Sequence, residues 1–188
     1  ISDLYSRTIV AGIFEAPLEF AFMAQPARMR PNTAATMPEV SADYRSFTFR
    51  IKPGIHFADD PAFKGRKREL VAADYVFSLK RIFDPRWKSP SYPSLADEQV
   101  LGLDALRQKA VKDRTPFDYD TEIEGLRTLD RYTYRITLGK PSPRFINSFT
   151  SATWASSRAS GAPMQMWAPP PKAMCGRCLR VMSKRCGS

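Results

Sequence analysis

Two stretches of alternating side chains constrain this chain more than any other feature. In "SFTFRIK" (46–52), Phe47, Phe49 and Ile51 lie on one side and Thr48, Arg50 and Lys52 on the other. In "YTYRITL" (132–138), Tyr132, Tyr134, Ile136 and Leu138 repeat the pattern. Strict alternation over this length marks a half-buried strand, and Pro53-Gly54 ends the first one. Between them, "AADYVFSLKRIFDP" places Val76, Leu79 and Phe83 on one helical stripe, with Asp84-Pro85 as its stop. The two apolar strand faces and this stripe are expected to share one core.

The remaining segments add helices. Residues 3–14 carry Tyr5, Ile9, Gly12 and Ile13 at helical spacing. Residues 86–120 are broken by Pro90, Pro93 and Pro116, which leaves room for one helix over 97–112. After Pro141 and Pro143, "RFINSF" starts another, packing through Phe145, Ile146 and Phe149. Helices mixed with mostly antiparallel strands define an α/β lobe of the α+β mixed kind. A chain of 188 residues is long enough for a real core, and no apolar run reaches the roughly 18 residues of a membrane span. "ISDLYSRTIVAG" shows neither a basic n-region nor a small-residue cleavage site, so no signal peptide is legible in this chain.

The formal net charge of +10 invites a nucleic-acid reading, but its distribution argues against one. Six of the 29 basic residues and none of the 19 acidic residues lie in 151–188, so residues 1–150 carry only +4. The basic run "KGRKRE" (64–69) has no interleaved aromatics and reads as a solvated loop. Cys175, Cys178 and Cys186 form CxxC plus one, short of the four ligands of a structural zinc site. The lone histidine, His56, is expected to support a turn at a strand edge. Asp118, Asp120, Glu122 and Glu124 lack the glycine and spacing of a calcium loop, and read as solvent-facing carboxylates. No nucleophile–base pair or phosphate-cradling loop is present, so no catalytic residue, metal or cofactor is expected.

Residues 47–85, "FTFRIKPGIHFADDPAFKGRKRELVAADYVFSLKRIFDP", resemble the family 5 extracellular solute-binding proteins, the receptors of ABC importers. The shared features are Phe47-Thr48-Phe49, then Pro53-Gly54-Ile55-His56-Phe57, the acidic Asp59-Asp60, and the helix Ala73-Asp74-Tyr75-Val76-Phe77-Ser78-Leu79-Lys80-Arg81. "LYSRTIVAGIFEAPLEF" upstream and "PFDYDTEIEGLRTLDRYTYRITLGKPSPRFI" downstream extend the likeness over about residues 3–150. It implies the N-terminal part of a two-lobed periplasmic-binding-protein type II fold, mainly the side subdomain of lobe I. It also implies capture of peptides or similar small solutes in the periplasm for a membrane permease, by a monomer that is not an enzyme and binds no nucleic acid. Phe14 and Glu15, in the upstream segment, are the candidate ligand-binding residues.

Two departures stand out. Val71 occupies a place where the family often has a helix-capping Thr. Residues 151–188 lose the likeness, lack acids and show no sustained apolar period. They are expected to be a non-family, disordered tail of the kind that out-of-frame translation produces. The rival readings are a degenerate product and a basic module that binds polyanions through this tail.

Overall fold

The computed structural model describes residues 15–59 and 63–151. The expected helix at 3–14 and the cysteine-bearing tail lie outside them.

The alternating stretches pair with each other at the centre of a four-stranded antiparallel sheet. Strands β3 (Glu39–Val40), β4 (Ser46–Arg50), β5 (Leu126–Asp130) and β6 (Thr133–Thr137) lie in the order β3-β4-β6-β5. The register sets Phe47 opposite Ile136 and Phe49 opposite Tyr134. All four are buried, as are Ile51 and Leu138. A period-2 pattern with one buried face fixes register in this way, because a one-residue slip would turn every aromatic outward. A separate hairpin, β1 (Leu18–Phe20) with β2 (Met29–Pro31), precedes the sheet.

Helix α1 (Ala72–Phe83) covers the apolar face of the sheet. Its buried stripe is wider than Val76, Leu79 and Phe83: Tyr75 and Ile82 are buried too, while Val76 is only half-buried. The Tyr134 ring lies between Phe49 and Tyr75, at 5.1 and 5.4 Å between centroids. Such stacked pairs add about 0.5–1.5 kcal/mol each beyond their area burial. The helix opens without a side-chain cap at Val71, whose backbone is already extended. The Asp74 carboxylate accepts from the Val71 N–H at 3.0 Å, which supplies one half of a capping box.

The helix expected over 97–112 starts only at Leu103, as α3 (Leu103–Lys112), and a separate α2 (Tyr92–Asp97) precedes it. The break is at Gly102, with φ +82°, a conformation that favours glycine. There the chain leaves helical geometry to run against the sheet end. The Leu101 N–H donates to Thr137 O at 3.1 Å, and the Gly125 N–H donates to Leu101 O at 3.0 Å. A Cβ on Gly125 would lie 2.2 Å from Leu101 O, so this crossing requires glycine. The expected C-terminal helix is a 3-10 helix, Phe145–Thr150, with Phe145 and Phe149 buried as anticipated.

Candidate functional site

Glu15 is the first described residue, and it is exposed. Its neighbours Ala16, Pro17 and Leu18 are all buried. Their backbone is bolted to the segment after β2. Asn32 N–H and Ala34 N–H both donate to Pro17 O, at 3.0 and 3.1 Å. The Ala16 carbonyl accepts from the Asn32 side-chain amide at 3.1 Å and from the Thr33 hydroxyl at 3.3 Å. Thr33 in turn shares a 2.6 Å hydrogen bond with the Tyr75 hydroxyl of α1. Burial is the largest influence on that phenol, and the nearby Glu15 charge acts in the same direction. Together they push Tyr75 up to about 12.

The geometry therefore presents one accessible carboxylate on a rigid pedestal that joins β1, β2 and α1. An ionised carboxylate only accepts hydrogen bonds. Its chemistry suits an ammonium or amide group of a solute. Phe14, its expected companion, lies outside the described residues.

The other expected features fall where their chemistry puts them. The His56 ring bonds Gly54 O at 2.9 Å, and His56 bridges Glu69 across two antiparallel segments, a turn-supporting position. Asp118, Asp120, Glu122 and Glu124 are exposed. No cluster of ligating side chains suited to a metal is present among the described residues. The "KGRKRE" loop is solvated only at Lys64–Lys67. Arg68 pairs with the fully buried Asp74 at 2.6 Å and lies 5.0 Å over the Phe57 ring. Glu69 accepts from Gly54 N–H at 2.8 Å, Tyr132 Oη at 2.9 Å and Arg131 Nη2 at 2.7 Å. The Arg131 bond is the main reason its carboxyl falls to about 2.

Three structural anchors had no clear sequence signal. Lys80 is buried, and its ammonium donates to the carbonyls of Tyr119 at 2.8 Å and Thr121 at 2.7 Å. Burial lowers its pKa, with Asp118, Asp120 and Glu122 opposing. Asp84, read only as a helix stop, is buried and bonds Arg86 and Tyr119, each at 2.7 Å. Burial raises its pKa, but these bonds outweigh it and hold the carboxyl below its usual range. Arg107 donates to Phe83 O at 2.8 Å and lies 3.9 Å over the Tyr92 ring, which ties α3 to the end of α1.

Residues 28–171 match the family described as bacterial extracellular solute-binding proteins, family 5 Middle, and the chain belongs to that family. The matched span takes in the first part of the 151–188 segment. Among curated relatives, Di/tripeptide-binding protein 4 of Pseudomonas aeruginosa is 27% identical over 125 residues, which is 62% of this chain and 20% of that protein. Di/tripeptide-binding protein 2 of the same organism is 28% identical over 126 residues, or 64% and 21%. The chain thus spans about a fifth of the length of these relatives.

Solved structures agree on the fold. The ABC transporter-associated periplasmic binding protein DppA from Helicobacter pylori, in complex with a peptide, superimposes with a TM-score of 0.61 at 20% identity, covering 83% of this chain and 27% of that one. OppA of Listeria monocytogenes bound to peptide gives 0.60 at 20% identity, with the same coverage. The chain has part of the periplasmic-binding-protein fold.

Proposed function

We propose that the chain is part of the substrate-binding component of an ABC importer, one that captures peptides or similar small solutes in the periplasm and hands them to a membrane permease. The observation that carries this reading is the family match together with relatives named for di- and tripeptide binding. In that role residues 1–150 supply one wall of a cleft, mainly the side subdomain of the first lobe. Glu15, fixed by the Ala16–Thr33–Tyr75 bonds, offers its carboxylate to the ammonium or amide groups of the solute. Phe14, the residue before it in the chain, is its proposed partner in contacting the solute. A binding cleft encloses most of its ligand, so a single wall leaves the solute in water. On this reading the chain alone is inactive in capture.

The test replaces the matched segment of Di/tripeptide-binding protein 4 with residues 1–150 and titrates the folded chimera with di- and tripeptides. Micromolar binding, which corresponds to about −8 kcal/mol, is expected, and Glu15→Ala in the chimera should weaken it about tenfold. A chimera that unfolds cooperatively yet binds no peptide would overturn the reading.

A further inference from the structure

The described chain ends beside an uncovered apolar surface. The β1–β2 hairpin closes in a run without an ionisable residue, Phe20-Ala21-Phe22-Met23-Ala24-Gln25-Pro26-Ala27. Within the described fold Phe20 is 52% exposed, Phe22 89% and Met23 83%. Large apolar groups clustered in this way mark a surface that another segment covers. The 3-10 helix Phe145–Thr150 packs on β1, and Ser151 follows it directly. The chain therefore leaves the fold next to the hairpin. Extended backbone spans roughly 3.3 Å per residue, so Trp154 comes within reach of Phe20, and residues up to 171 reach past the whole tip.

The chemistry of that segment suits the surface. Residues 152–171, "ATWASSRASGAPMQMWAPPP", carry Trp154, Met164, Met166 and Trp167 and a single charge, Arg158. The other basic residues of the C-terminal part all lie beyond 171. Pro163, Pro169, Pro170 and Pro171 have little backbone freedom left to lose on docking, and proline-rich segments pack on aromatic side chains for that reason. The family match continues through residue 171 and stops before the cysteines. A segment tethered this close is present at about millimolar effective concentration. It takes the surface ahead of a separate partner that makes the same contacts.

We propose that residues 152–171 fold back over the hairpin and cover Phe20, Phe22 and Met23, which makes the tip an internal docking surface of this chain. This departs from the expectation that all of 151–188 is disordered, and it is independent of what solute, if any, the chain helps to capture. The test is oxidation of the full chain by dilute hydrogen peroxide, which passes one oxygen to an accessible thioether and leaves water. Peptide mass spectrometry reads the rates at Met23 and at Met37, which is 39% exposed. With the tip open, Met23 is the faster of the two. With the tip covered for roughly nine-tenths of the time, its rate falls about tenfold and the order reverses. Trp154→Ser/Met166→Ser/Trp167→Ser should restore fast oxidation at Met23, while an unchanged rate at Met37 and an unchanged thermal transition confirm that the variant folds. Equal rates at Met23 in the two proteins, whether fast or slow, overturn the proposal. So does protection of Met23 that appears only as protein concentration rises, which would make the cover a second copy of the chain.

Discussion

Asp74 has no exposed surface, yet three parts of the chain converge on it. It accepts from Val71 N–H at the start of α1, pairs with Arg68, and its backbone carbonyl accepts from the Ser78 hydroxyl at 2.8 Å. Removing one partner of such a pair costs more than the pair contributes, because the other charge is left without compensation. Glu69, just upstream, does the opposite kind of work, holding the exposed turn at Gly54 to Arg131 and Tyr132 at the end of the sheet. Its folded pKa is depressed from 4.5 to about 2. A depressed carboxyl stabilises the fold at pH above its unfolded value and loses that contribution as protonation sets in. Urea denaturation of wild type and Glu69→Gln should therefore show the wild type ahead at pH 7. The gap should narrow as pH falls from about 4.5 towards 2. A gap independent of pH would mean that the carboxylate charge does not hold the turn. Lys80→Met tests a third residue. It strands two carbonyls that now receive charge-assisted bonds, and it should cost about 2–3 kcal/mol by the same measurement; a neutral result would show that water reaches those carbonyls freely.

At the scale of elements, the β4–β6 pair and α1 form the core, and Phe49 lies at its centre. Its ring contacts Tyr134 at 5.1 Å and Phe149 at 4.4 Å between centroids. Phe49→Ala should cost about 3–5 kcal/mol, read from the midpoint and slope of a denaturant transition. A loss under about 1 kcal/mol would contradict the packing described. These two strands and α1 were legible in the sequence because burial imposes a period, and the period survives in Phe47, Phe49, Ile51 and Tyr134, Ile136, Leu138. The start of α3 at Leu103 rather than at 97 was not legible from periodicity. It arises from a tertiary contact, the backbone crossing of Leu101 and Gly125, and the one local trace of it is Gly102 itself. The burial of Lys80 and Asp84 was hidden for a related reason. Charged residues read as exposed until the partners that neutralise them, here carbonyls and guanidinium and phenol groups 2 to 41 residues away, are brought alongside. Of the candidate site, Glu15 could be named from the family likeness, but its rigid pedestal through Thr33 and Tyr75 emerged only from the fold.

For the molecule as a whole, the central claim is that this chain supplies one wall of a solute receptor. The family match and the shared fold cover about a fifth of the curated relatives and about a quarter of the solved structures. Glu15 stands exposed at the start of the described residues. An open wall gains little from a small peptide, because water competes at every polar contact and the association entropy is still lost. The most direct measurement is isothermal titration calorimetry of the intact 188-residue chain with di- and tripeptides at millimolar concentration. The account predicts no saturable heat, meaning affinity weaker than about −4.1 kcal/mol, or 1 mM. Saturable binding tighter than that, abolished by Glu15→Ala in a variant that melts like wild type, would show that the chain holds a complete site and would contradict the single-wall account.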